Sequence, residues 1–192
     1  MDLVSTSDLV IELQEGSLEA LGQLYNRYNQ MVYRTAYAIT GDADAAADLL
    51  QDVFLRFHRF ARRVDPTRPL EPWLYRVTTN LAYTWVKRRR WTRPLDEMAD
   101  WLFKEKRPSV QHQIEMDEEW QQVNRAIANL PLPQRVVVVL FYVNDLSVQE
   151  VAAILEIPEG TVKSRLHYGR QTLKKLIGSQ GEFFSGKHYE FT

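Results

Sequence analysis

The chain has 192 residues, 45% of them hydrophobic and 26% charged, the proportions of an ordinary soluble globular protein rather than of a disordered one. It has no cysteine, which excludes disulfides, thiolate metal sites and thiol nucleophiles. The net charge of -1 conceals a segregation: residues 1–55 carry -7, residues 56–95 carry +9, residues 96–119 carry -5 and residues 120–192 carry +2. One block is built to meet an anion.

In chain order, Ser17 followed by Leu18, Leu21, Leu24, Tyr25, Tyr28, Val32 and Ala36 predicts an amphipathic helix that Gly41 stops. Asp42 and Asp44 can cap a second helix, with Ala46, Leu49, Leu50, Val53, Phe54, Phe57 and Phe60 on its apolar face. Arg56, Arg59, Arg62 and Arg63 gather at its C-terminal end, where the helix dipole favours cations. Three prolines between Val64 and Pro72 require a loop. Pro72 suits the first turn of a third helix, running through Trp73, Leu74, Val77, Leu81 and Trp85 to Lys87-Arg88-Arg89-Arg90.

Residues 94–118 lose clear periodicity, turn acidic and read as an interdomain linker, with room for a short helix from Met98 to Phe103. Helical spacing resumes from Glu119 to Leu130 through Trp120, Val123 and Ile127, and Pro131 and Pro133 end it. The run Val136-Val137-Val138-Val139 has strand propensity. A helix is expected there instead, because the chain offers no second strand to satisfy the backbone of a first.

Ser147 and Glu150 form a capping-box pattern, and Val151, Ala152 and Leu155 supply the apolar stripe of the helix it opens. After the break at Glu156-Ile157-Pro158, a further helix carries Val162, Leu166, Leu173 and Leu176 on one side. Two helices joined by so short a turn make a helix-turn-helix, whose second member enters the major groove of DNA. Thr161, Lys163, Ser164, Arg165, His167, Tyr168 and Arg170 lie opposite the stripe and can bond phosphates or base edges. A merely solvated basic helix is the plainer alternative, disfavoured by the capped helix and tight turn before it.

Upstream, the basic block from Lys87 to Arg93 is flanked by Trp85 and Trp91, with Trp73, Tyr75 and Tyr83 earlier on the same helix. Aromatics beside cations suit unpaired bases: a ring stacks on a base for about 1–3 kcal/mol while arginines neutralise the phosphates. For Trp73, at the start of an apolar stripe, a place in the core is an equal reading. His58, His112, His167 and His188 are scattered, and the chain has no His-Glu-x-x-His, P-loop or glycine-rich dinucleotide turn. No catalytic site, cofactor or metal is therefore expected.

Asp48-Leu49-Leu50-Gln51-Asp52-Val53-Phe54, followed by Trp73-Leu74-Tyr75-Arg76 and Asn80, resembles region 2 of the sigma-70 family, extracytoplasmic-function (ECF) group. Leu130-Pro131 with Arg135, then Gly160-Thr161-Val162-Lys163-Ser164-Arg165-Leu166, resembles region 4 of the same group. Both sets stand in the family's order and together span about residues 17–177. The resemblance implies an all-α chain of two small helical domains: region 2 over residues 1–93, an acidic linker over 94–118, a region 4 helix-turn-helix over 119–177 and a C-terminal tail over 178–192.

It also implies a sigma factor that binds core RNA polymerase and directs promoter recognition and opening. Asp48, Leu49, Gln51, Asp52 and Phe54 fall where the family docks on the clamp helices of the polymerase β′ subunit. Trp73, Arg76 and Asn80 fall where it faces the -10 element, and the loop from Asp65 to Glu71, with Arg68, falls where a flipped base is held. Lys87, Arg88, Arg89 and Arg90 continue that surface. Lys163, Ser164, Arg165 and His167 fall on the side that reads the -35 element, flanked by Thr161 and Arg170, and region 4 also touches the β flap. Thr84, Pro158 and the pair Tyr168-Gly169 depart from residues common in relatives.

Expected partners are core polymerase, promoter DNA and an anti-sigma factor. The location is expected to be cytoplasmic with no membrane insertion, since no apolar run nears the roughly 18–20 residues of a span and the acidic start lacks a signal peptide's basic lead. The alternative is a helix-turn-helix regulator that binds duplex DNA alone, and the region 2 motifs argue against it.

Overall fold

The computed structural model describes residues 4–102 and 118–177, which fold as two compact units. Among the described residues there are helices and no strands. In the first unit, α1 spans Thr6–Gln14, α2 Leu18–Thr40, α3 Ala43–Phe60 and α4 Glu71–Leu102, with a single 3-10 turn over Ala61–Arg63. The chain chemistry sets these boundaries. Ser17 caps α2 by accepting from the Ala20 amide at 3.2 Å, and Gly41 ends it in the left-handed region with φ 67°. Asp42 then caps α3 through the Ala45 amide at 3.0 Å.

Helix α2 is the centre of this unit and packs against α1, α3 and α4. Leu24, Val32 and Ile39 of α2, Leu50 and Phe57 of α3, and Leu74 of α4 are shut off from solvent. Each such side chain contributes about 1.5–3 kcal/mol of transfer free energy. Helix α1 is absent from the sequence reading, which begins its elements at Ser17. Its signal is Ser5 and Asp8, spaced as a cap, ahead of Leu9, Val10 and Leu13: the Ser5 hydroxyl accepts from the Asp8 amide at 3.1 Å, and the three apolar residues are buried.

Helix α4 differs from expectation at its end. It continues through Pro94 to Leu102, so the helix passes the expected domain boundary at residue 93. A proline inside a helix removes one bond to the carbonyl four residues back and can kink the helix without ending it. The expected short helix from Met98 to Phe103 is, as far as Leu102, the end of α4. Phe103, the rest of the expected linker and the tail from residue 178 lie outside the described residues.

In the second unit, α5 spans Glu118–Ala128, α6 Leu132–Val138, α7 Val148–Leu155 and α8 Glu159–Ile177, with a π-helical turn over Val139–Val143 after α6. Helix α8 packs against α5, α6 and α7. The four-valine run is helical as expected, and all four side chains are buried. Burial on every side of α6 outweighs the few tenths of a kcal/mol per residue by which valine disfavours helix. Helix α7 ends at Glu156, itself left-handed with φ 54°, and the Ile157 amide donates back to the Ala152 carbonyl at 3.1 Å. That αL residue makes the sharp turn into α8.

Two leucines expected on apolar stripes are exposed, Leu18 at 67% and Leu176 at 51%. Leu18 sits in the first turn of α2, where it lines a surface groove instead of the core.

Candidate nucleic-acid interface

The first unit presents a loop and one face of α4. The loop leaves the 3-10 turn at Val64 and re-enters helix at Glu71, with Val64 and Leu70 buried at its two ends and Thr67, Arg68 and Pro69 exposed between them. Asp65 folds the tip on itself: its Oδ1 accepts from the Thr67 amide at 2.9 Å and from the Thr67 hydroxyl at 2.6 Å. Those bonds, with the Arg68 guanidinium 3.3 Å from Oδ2, hold the Asp65 carboxyl below its ordinary range. Arg68 is thus at the tip, as expected, and is paired there.

Trp73, Arg76, Asn80 and Lys87 succeed one another at helical spacing beyond the loop, on one side of α4. Trp73 is half-buried, its ring 5.4 Å from that of Phe57, so it is partly packed on the core and partly exposed. Tyr75 does not join this surface, being only 7% exposed. Alternation around a helix turns it into the core, which sequence proximity to the other aromatics concealed. Lys87 lies 5.4 Å from the Tyr83 ring centroid and Arg89 lies 5.0 Å from that of Trp85. Arg89 also forms an ion pair with Asp42. Arg88 is exposed, and the side chains of Arg90 and Trp91 lie outside the described ones.

Around the first unit from this face, α2 and α3 border a groove of about 570 Å³ lined by Leu18, Tyr25, Asp48, Gln51, Phe54 and Leu55. Asp48, Gln51 and Asp52 are exposed as a docking set requires. Leu49 and Phe54 are each 5% exposed and belong to the core, Phe54 meeting Tyr25 edge-on at 4.9 Å. An apolar residue of this groove that sequence reasoning passed over is Leu55, 61% exposed. The 3.6-residue period places it off the buried stripe, and a leucine on the polar side of α3, between Asp52 and Arg56, was the available signal.

In the second unit α7 and α8 form the helix-turn-helix. The capping box is closed, with the Glu150 carboxylate accepting from the Ser147 amide at 2.7 Å and the Ser147 hydroxyl accepting from the Glu150 amide at 3.2 Å. Val162, Leu166, Gly169 and Leu173 of α8 are buried, while Lys163, Ser164, His167 and Tyr168 are exposed on other sides. Thr161 and Arg165 are half-buried. Ser164 donates to the Thr161 carbonyl at 3.2 Å, and His167 Nε2 is 2.9 Å from Gln171 Nε2. Arg170 is turned towards Tyr142 of the π-helical turn: burial raises the Tyr142 phenol, and the Arg170 charge and hydrogen bond oppose that. Lys174 and Lys175 extend the exposed charge along the last turn.

Among the described residues no His, Cys, Asp and Glu side chains cluster as metal ligands would. No helix among them is long and apolar enough to cross a membrane.

Comparison with known proteins places both units in one family. Residues 24–92 match the model of Sigma-70 region 2, and residues 120–173 match that of Sigma-70, region 4. The ECF RNA polymerase sigma factor SigW of Bacillus subtilis is 30% identical over 86% of this chain and 93% of its own length. The ECF RNA polymerase sigma factor SigE of Mycolicibacterium smegmatis is 34% identical over 85% of this chain and 63% of its own. Among solved structures, the sigma factor RpoE of Bartonella quintana, in complex with the anti-sigma factor NepR, shares the fold with a TM-score of 0.64 at 22% identity, covering 83% of this chain and 98% of that one. With both region models matched in order and SigW alike over nearly its whole length, the chain belongs to the ECF group of the sigma-70 family of RNA polymerase sigma factors.

Proposed function

We propose that this sigma factor reads promoters in two chemically different ways, capturing melted single strand with the loop and α4 of its first unit and reading duplex with α8 of its second. The observation that carries the proposal is the part-exposed ring of Trp73, packed on Phe57, in the first turn of the helix that follows the exposed loop residues Thr67 and Arg68. Opening DNA costs about 1.4 kcal/mol per stacked step. A base stacked on an aromatic ring regains about 1–3 kcal/mol, so two or three captured bases offset a short bubble.

Arg76, Asn80, Lys87, Arg88 and Arg90 serve the same strand, the arginines through phosphates, and Arg89, paired with Asp42, braces that surface. Lys163, Ser164 and His167, the exposed side chains of α8, address the -35 element, with Thr161, Arg165 and Arg170 at the margins of that face.

The groove bordered by α2 and α3 seats a helix of core polymerase, the β′ clamp being the family's docking partner. Its apolar lining, with Asp48 in it and Asp52 exposed on the same helix, suits an amphipathic helix that carries basic side chains. An anti-sigma factor is a further partner, as NepR is of RpoE. The chain acts in the cytoplasm as a non-catalytic subunit, and no residue is assigned to bond-making.

Reconstituted transcription from a promoter library with core polymerase tests the proposal and yields both promoter elements. The expected result is RNA from a subset of promoters sharing two spaced elements. Specific, tight duplex binding by the chain alone, with no change in what polymerase transcribes, would point to the stand-alone regulator instead.

A further inference from the structure

Both ends of the loop are tied to the first two helices by polar contacts that base capture does not itself use. Gln14, the last residue of α1, donates from Nε2 to the Ala61 carbonyl at 3.0 Å and to the Val64 carbonyl at 2.8 Å. These acceptors lie 47 and 50 residues away, in the 3-10 turn and at the first residue of the loop. At the far end, the Tyr28 hydroxyl of α2 donates to Glu71 Oε1 at 3.0 Å, where α4 begins. That hydroxyl also lies 3.1 Å from the Thr6 hydroxyl oxygen, to which Arg27 donates at 2.7 Å.

We infer that Gln14 and Tyr28 are positioning residues for base capture, fixing the loop at both ends so that Thr67 and Arg68 meet an extruded base in one geometry. The inference rests on the reading of the loop as the capture site. A loop free at either end loses entropy when a base orders it, and it accommodates wrong bases by shifting. This loop is ordered in advance. Val64 and Leu70 anchor it by burial, Asp65 closes its tip, and the two polar ties fix the frame to α1 and α2. Neither Gln14 nor Tyr28 touches DNA in this scheme.

The test uses the full chain with core polymerase and a fluorescent single strand carrying the -10 sequence of a promoter selected from the library. Each position is replaced in turn by an abasic site, and the ratio of affinities, intact over abasic, is read along the strand. Gln14→Met keeps length and bulk but cannot donate. It is expected to lower the ratio about tenfold at the captured position alone, the scale of two lost hydrogen bonds. Gln14→Lys, whose ammonium can reach the same two carbonyls, is expected to restore it. Tyr28→Phe removes only a hydroxyl and gives an independent arm should Gln14→Met fold poorly.

Thr67→Ala and Arg68→Ala separate the two possible failures. If the tip variants leave every ratio unchanged, the loop is not the capture site and the reading beneath the inference fails. If they lower one ratio while Gln14→Met and Tyr28→Phe keep the wild-type profile, the positioning role is overturned and the capture site stands. A uniform loss at all positions in the Gln14 and Tyr28 variants also overturns it, because that is what a general structural role gives.

Discussion

The Arg89 guanidinium is ion-paired with the Asp42 carboxylate, whose other oxygen caps α3 through the Ala45 amide at 3.0 Å. One carboxylate therefore fixes both the start of α3 and the basic stretch of α4, and Arg89 holds the Trp85 ring at 5.0 Å as it does so. The ion pair predicts different roles for Arg89 and its neighbour Arg88.

Arg89→Ala is expected to lower stability by about 0.5–1 kcal/mol, the scale of a partly exposed pair. That loss should vanish in an Asp42→Asn background, where the cap is kept and the charge is gone. Arg88→Ala is expected instead to flatten the salt dependence of strand binding by the holoenzyme, by roughly 0.7–0.9 in logarithmic slope for one phosphate contact. Urea unfolding and a salt titration together check this. Equal slopes for the two variants with no stability loss for Arg89→Ala would remove the distinction.

The capping box of α7 gives a pH prediction. The Glu150 carboxyl is held below its ordinary 4.5, first by the Ser147 amide and then by its hydroxyl. A depressed folded value means that the native state favours the charged form. This stabilisation is complete above the unfolded value and is lost as pH falls through the lower folded one. The difference in unfolding free energy between wild type and Glu150→Gln should thus be positive near neutral pH and shrink as the pH falls below the ordinary 4.5 and through the lower folded value. Ser147→Ala should cost about 1 kcal/mol at neutral pH. A wild-type minus Glu150→Gln difference that is flat with pH contradicts the assignment.

Gly169 sits where α8 crosses α6, and a Cβ there would lie 2.8 Å from Val138 Cγ2. Gly169→Ala is therefore expected to push α8 from its seat at a cost of about 1–3 kcal/mol. It should also weaken duplex binding, because α8 carries the exposed set Lys163, Ser164 and His167. Val138→Ala removes the offending methyl, so the double variant should be more stable than the sum of the single losses predicts. Simple additivity in chemical denaturation would show that the close approach does not matter.

Helix α2, helix α3 and the helix-turn-helix were legible because Ser17, Gly41, Asp42, Ser147 and Glu150 mark their ends in residues whose local chemistry is sufficient to specify a cap. Helix α1 was not read, since nine residues give the hydrophobic period too few turns to stand out. The candidate site could be named residue by residue from the sequence, but not its geometry. A motif names Leu49 and Phe54 beside Asp48 and Gln51, but only the fold tells which face the core takes, and it takes those two. Gln14 and Tyr28 carry no local signature at all, because the partners that give them meaning lie more than 40 residues away.

The groove bordered by α2 and α3 yields the last prediction. Leu55 is 61% exposed and Leu18 67%, a pair of large apolar side chains that gain only when a partner removes them from water. Burying a leucine is worth about 1.5–3 kcal/mol. Leu55→Asp is therefore expected to weaken association with core polymerase tenfold or more, and to leave unfolding within about 0.5 kcal/mol of wild type because the site is already wet. Gln30→Asp, at an exposed position of α2, is the control for added charge. Asp48→Asn and Asp52→Asn should reduce the salt sensitivity of the same association with little effect on its strength at high salt, as rim charges do. Competition against labelled wild-type chain for core polymerase reads all four. If Leu55→Asp competes as well as wild type, the polymerase docks elsewhere on this domain.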